Sequence, residues 1–216
     1  EYFEQADTCP RKDEEQPYQY WKSGEFCHLY EYIGTLGYLS RQYNAHSTYF
    51  LRYWSDLLAV DCEYFDICIY IQECMRHEHS LKMYNPVIAD FTIKCINILD
   101  NVSAALKIAR RAYLALSFSH DEDLKSAKET WMQMIANAEN RRGNYHSSLK
   151  WYLNIIMDMD EESDTGLLSP VYANLAENYL CMAEESKDVG YAERAYAIGK
   201  AVLEARINAF GENNEE

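Results

Sequence analysis

The sequence predicts an all-α fold, a stack of about eight antiparallel helices. Three observations predict it. Glycine (8) and proline (4) are scarce in 216 residues, and both punctuate chains built from short strands and turns. Apolar residues recur at three- and four-residue spacing over long stretches, as in helices with one buried face. No stretch alternates apolar and polar residues as a half-buried strand does.

The elements follow in order. Residues 1–22 read as a polar, proline-interrupted lead, so residues 1–24 are set apart from a single helical domain over residues 25–216. Glu25 to Ser40 carries Phe26, Leu29, Ile33, Leu36 and Tyr38 at helical spacing, weakened by Gly34 and Gly37. Asn44 to Leu57 reads as a second helix with Phe50, Tyr53, Trp54 and Leu57 inward, together with Tyr49. Val60 to Ser80 reads as a third. Asn85-Pro86 marks a break and a new start, because proline fits the first helical turn and little beyond it. From Pro86 to Ser117 the apolar period runs on without glycine or proline, which predicts one very long helix.

Ser119-His-Asp-Glu-Asp reads as the acidic cap of a helix from about Glu122 to Arg142, closed by Gly143-Asn144. Tyr145 to Asp160 follows, with Leu149, Tyr152, Leu153 and Ile156 inward. Asp158 to Gly166 reads as an acidic loop. Ser169-Pro170 opens another helix, serine as cap and proline in first position, ending near Lys187. Tyr191 to Phe210 is the last helix, closed by Gly211.

Composition restricts the function. A net charge of −15, with no Lys/Arg run to override it, opposes nucleic acid and anionic membranes, which both require a basic surface. No apolar run approaches the span of a bilayer. Seven cysteines, an odd count without a Cys-x-x-Cys pair, read as buried free thiols in a reducing compartment. The opening residues lack the apolar core of a signal peptide. The expected location is therefore cytoplasmic.

Catalytic and metal constellations are missing from the pattern. His77 and His79 are two residues apart and diverge around a helix, so they cannot share a metal. No phosphate-binding loop, nucleophile elbow or zinc-protease motif occurs. The carboxylate pairs Glu161-Glu162 and Glu184-Glu185 read as solvated faces. The expectation is a protein that is not an enzyme, with no cofactor and no metal.

Two resemblances sharpen this. Ala138 to Asp160, with small and aromatic positions around a Gly-x-Tyr turn, resembles one tetratricopeptide unit, and Leu168 to Phe210 resembles a second, longer one. The pattern does not continue at that repeat length before Ala138. The stretch Ser169-Pro-Val-Tyr-Ala-Asn-Leu-Ala-Glu-Asn-Tyr-Leu-Cys-Met-Ala-Glu-Glu185 resembles the seventh helix of the 14-3-3 family. That helix opens His-Pro-Ile and continues through Leu-Ala-Leu-Asn-Phe to Tyr-Tyr-Glu. Pro170, Leu175, Ala176, Asn178, Tyr179 and Glu185 fall in step without a gap, and Ala195, Lys200 and Ile207 keep step with the family's next helix. Earlier segments are similar in layout more than in letters.

The 14-3-3 resemblance implies an intracellular signalling adaptor that grips phosphoserine or phosphothreonine segments of partner proteins in a groove. It implies that Arg141 or Arg142, and Arg76 with His77, meet the phosphate, and that Asn178 with Glu185 holds the peptide. The family's third-helix Lys falls on Tyr70 or Ile71 and is therefore missing. The family's last helix is missing too, since nothing after Gly211 matches it. The resemblance also implies a homodimer through the first helices, with altered contacts, because Glu31 to Tyr43 is rich in tyrosine and broken by glycine. The alternatives are a tetratricopeptide-type scaffold that binds unmodified peptides or partner helices, and a non-catalytic regulatory domain.

Overall fold

A computed structural model describes residues 10–45, 48–75, 80–117, 125–158 and 170–210. Every regular element among them is a helix, and no strand occurs. The all-α prediction holds, with eleven helices among the described residues where about eight were expected. They are α1 (Pro10–Ser23), α2 (Phe26–Ile33), α3 (Leu36–Ala45), α4 (Thr48–Asp61), α5 (Ile69–Cys74) and α6 (Ser80–Asn97). Then come α7 (Val102–Ser117), α8 (Lys125–Arg141), α9 (Tyr145–Asp158), α10 (Pro170–Ser186) and α11 (Val189–Phe210). The chain forms two compact units, residues 1–120 and 121–216.

The surplus helices have local causes. Residues 10–23, expected as a lead, form α1, whose inward side chains include Asp13 and Pro17. A buried stripe written in polar letters leaves no apolar period to read. The first apolar segment splits at Gly34-Thr35. A Cβ on Gly34 would lie 2.7 Å from the Tyr30 carbonyl oxygen and 3.1 Å from Ile69, so α5 packs close only because the side chain is absent. Thr35 Oγ1 then accepts the Tyr38 N–H and starts α3. The third predicted helix breaks where Asp61 Oδ1 accepts the N–H groups of Glu63 and Tyr64, and where Asp66 Oδ1 accepts that of Cys68. These carboxylates offer the backbone a turn in place of the next helical bond.

The long helix predicted from Pro86 to Ser117 is two helices. Asp100 adopts a left-handed conformation (φ 49°) and the Asn101 N–H returns to the Cys95 carbonyl at 2.9 Å. Asn101 Oδ1 caps α7 by accepting the Ala104 N–H at 2.9 Å. Pro86, expected to open a helix, lies inside α6. The acidic cap at 119–123, the loop at 159–166 and Gly211 lie outside the described residues.

The core of the first unit is aromatic. Trp54 is fully buried, and its indole N–H donates to the Tyr70 hydroxyl at 3.0 Å. Tyr70 in turn donates to the Ile33 carbonyl at 2.8 Å. Phe91 packs its ring against Trp54, Tyr70 and Phe50. Nearby, Arg41 grips the buried Asp13 carboxylate through two nitrogens, and Tyr32 donates to the same carboxylate at 3.1 Å. Burial, reinforced by Asp13, pushes the Tyr32 phenol well above its ordinary pKa.

The second unit is two helical hairpins, α8–α9 and α10–α11, with α9 packed on α10. The segments that resemble tetratricopeptide units, residues 138–160 and 168–210, cover α9, α10 and α11 but only the last four residues of α8. Gly143 takes the left-handed conformation (φ 77°), its N–H reaches the Asn140 carbonyl, and the Asn144 N–H reaches Glu139, each at 2.9 Å. This pair of bonds is the Schellman closure of a helix. Lys187 closes α10 (φ 59°), and Asp188 Oδ1 caps α11 by accepting the Gly190 N–H at 2.8 Å.

Candidate functional site

The residues implicated by the 14-3-3 resemblance fall in three settings. Arg76 and His77 lie outside the described residues. Tyr70 and Ile71, where that family has its lysine, are core residues of the first unit. Arg141 and Arg142 are both exposed, at the last residue of α8 and just beyond it.

Asn178 and Glu185 share a helix but not an environment. Glu185 is exposed. Asn178 is 0% exposed. Its Oδ1 accepts the Asn140 amide of α8 at 2.8 Å, and its Nδ2 donates to the Tyr145 carbonyl at the start of α9 at 3.2 Å. The same Nδ2 lies 3.6 Å from the Met182 sulfur. One amide therefore joins three helices at the closed end of the α8–α9 hairpin. A buried amide must be paired, and this one is paired inside the protein at both ends.

The outward face of α10 is built from other residues. Glu177, Leu180, Cys181 and Glu184 stand at i, i+3, i+4 and i+7 and so share one side of the helix. Glu177, Leu180 and Glu184 are exposed, and Cys181 is half-buried. Partial burial raises the Cys181 thiol above its ordinary pKa, and the two glutamates reinforce the rise. The thiol thus stays protonated and is a poor nucleophile. Glu177 also adds to the rise that burial imposes on the Tyr152 phenol, which donates to Asn137 of α8. The exposed face therefore runs along α10 from Glu177 to Glu184. It offers carboxylates around an apolar leucine.

No known family, curated protein or solved structure matches the chain. The site must be read from its own chemistry. Among the described residues no group of histidine, cysteine and acidic side chains is placed to hold a metal ion. No described helix is long and apolar enough to cross a membrane. The described cysteines are free, but Cys27 and Cys62 are exposed rather than buried as expected.

Asn178 and Glu185 stand out in the sequence only through the letters they share with the 14-3-3 helix. Glu177, Leu180 and Cys181 of the same segment share no such letters. The signal was available, since an i, i+3, i+4, i+7 set is a helix face. Nothing in the letters marks which of two such faces turns outward.

Proposed function

We propose that this protein is a non-catalytic scaffold that binds unmodified, positively charged segments of partner proteins along the outward face of α10. The observation that carries this reading is the face itself: Glu177 and Glu184 flank Leu180, and all three are exposed. A phosphate laid there meets like charge and is repelled. A lysine- or arginine-rich segment with an apolar residue meets opposite charge and an apolar seat. The overall charge of −15 steers the same partners toward the protein.

The phosphopeptide reading keeps one support, the exposed Arg141 and Arg142 at the end of α8. Asn178 lends it none, since its amide is engaged inside the hairpin. A single titration separates the two. A labelled basic amphipathic peptide and its phosphoserine counterpart are added to the protein and followed by fluorescence anisotropy. The unmodified peptide is expected to bind more tightly, with affinity falling as salt rises. Glu177→Gln and Glu184→Gln should each weaken it roughly threefold, as exposed charge pairs do. Tighter binding of the phosphorylated peptide, lost in Arg141→Ala, would overturn the scaffold reading.

A further inference from the structure

Helix α11 carries two apolar stripes. Ala195 and Val202 are buried, and α11 packs on α10. Turned from them by roughly 100–120°, at 100° per residue, lies a second stripe of Val189, Tyr196, Leu203 and Ile207. It is uncovered: Tyr196 is 73% exposed and Leu203 58%. Single exposed apolar residues are ordinary, but the stretch from Tyr196 to Ile207 keeps its apolar side chains on one helix face for about three turns, as a docking surface does.

We infer that this stripe is where a second copy of the chain docks, α11 against α11 in antiparallel order. Three features of the helix point to its own copy as the occupant. An antiparallel pair brings the apolar stripe of one copy onto that of the other, Leu203 beside Leu203 and Tyr196 beside Ile207. The register that does so most closely is centred near Val202, where the two Leu203 lie within two residues of one level and Tyr196 of each copy within one residue of Ile207 of the other. In that register Lys200 of each copy stands opposite Glu204 of the other, on the flank where residues of antiparallel helices adjoin. Lys200 and Glu204 now form an exposed i, i+4 pair at 3.7 Å, so both charges sit beside the stripe and can exchange partners. Gly199 lies on the opposite flank, and a Cβ there would meet nothing within 4 Å. The open position lets a facing backbone approach closely.

One helix per copy makes a small interface, so association on the order of tens of micromolar is expected. The surface lies on α11, not on the α2–α3 region that the 14-3-3 resemblance implies, and it does not involve the proposed peptide face of α10. Sedimentation velocity of the full chain, from low to several hundred micromolar, tests it. The wild type should pass from monomer to dimer. Leu203→Glu, a change at an exposed position, should remain monomeric with an unchanged circular dichroism melt. Tyr196→Ser is the second such variant and should do the same. Lys200→Glu should weaken the dimer about tenfold, and the swap Lys200→Glu with Glu204→Lys should restore it. A wild type that is monomeric throughout overturns the inference. So does a Leu203→Glu variant that dimerises like the wild type, or a charge swap that fails to restore what Lys200→Glu loses.

Discussion

The two units bury polar groups in different ways. In the first, long-range ties link the five helices α1 to α5: a tryptophan donating to a tyrosine, a tyrosine to a carbonyl, and an arginine gripping an aspartate 28 residues away. In the second, four helices are set mainly by chemistry at their own ends, through Gly143, Lys187 and Asp188, and one amide locks the result. Short helices joined by tight breaks cannot fix their mutual angles locally, so side chains from distant elements must do it. Hairpins with two- or three-residue connections already hold their helices antiparallel. The comparison teaches that sequence-local signals decide the second unit and non-local packing decides the first.

The largest expected effect breaks the first unit at its centre. Trp54→Ala removes a fully buried ring and leaves the Tyr70 hydroxyl without its donor. A loss of about 3–5 kcal/mol is expected, as for other buried aromatic truncations. Urea unfolding measures it, and hydrogen exchange across residues 10–117 should show the matching loss of protection. A loss below about 1 kcal/mol would mean that the aromatic lattice does not organise this unit.

Asn178→Ala tests the corresponding lock of the second unit. It takes the acceptor from the half-buried Asn140 amide and a donor from the Tyr145 carbonyl, and leaves a gap where a fully buried side chain stood, so a loss of about 1–3 kcal/mol is expected. Peptide affinity, measured well below the new melting temperature, should stay unchanged. A variant of normal stability that has lost peptide binding would make Asn178 a peptide contact and not a lock between helices.

These two residues also show what the sequence made legible. Trp54 is readable as core because it stands in phase with Phe50, Tyr53 and Leu57, and all four are buried. In α9, Tyr152 turns inward as the spacing predicts, but Leu153 is 41% exposed and the small Ser148 is buried. Small residues at close helix contacts carry no apolar signal, so the phase drifts. The break at Asp100-Asn101 was hidden because apolar residues continue on both sides. The turn chemistry was in plain view, an asparagine cap after an aspartate that tolerates the left-handed conformation. Asn178 was legible as an important position, whereas its direction was not. A mid-helix asparagine reads the same whether it faces a groove or a neighbouring helix.

The smallest expected effect concerns the loop charge of the first unit. Asp66 joins the turn before α5 to α7: its carboxylate takes Lys107 at 2.9 Å, the Gln72 amide at 2.7 Å and the Cys68 N–H at 3.0 Å. Burial alone would raise its pKa, but Lys107, the Cys68 N–H and Arg111 together hold it below the ordinary value of 3.8. A carboxyl with a depressed folded pKa stabilises the fold above its unfolded pKa, near 4, and loses that contribution as pH falls through the folded value. Asp66→Asn keeps the size and the acceptor for the Cys68 N–H and removes the charge. The difference in unfolding free energy between wild type and Asp66→Asn should therefore be constant from neutral pH down to about 4, then shrink toward zero below it. Its plateau should be no more than about 1 kcal/mol, because Lys107 is 44% exposed and solvent screens the pair. Urea titrations of both proteins at matched pH measure the difference directly. A gap that persists undiminished well below that range would mean that Asp66 acts through its hydrogen bonds alone. The ties of the first unit would then be neutral in kind, like the amide lock of the second.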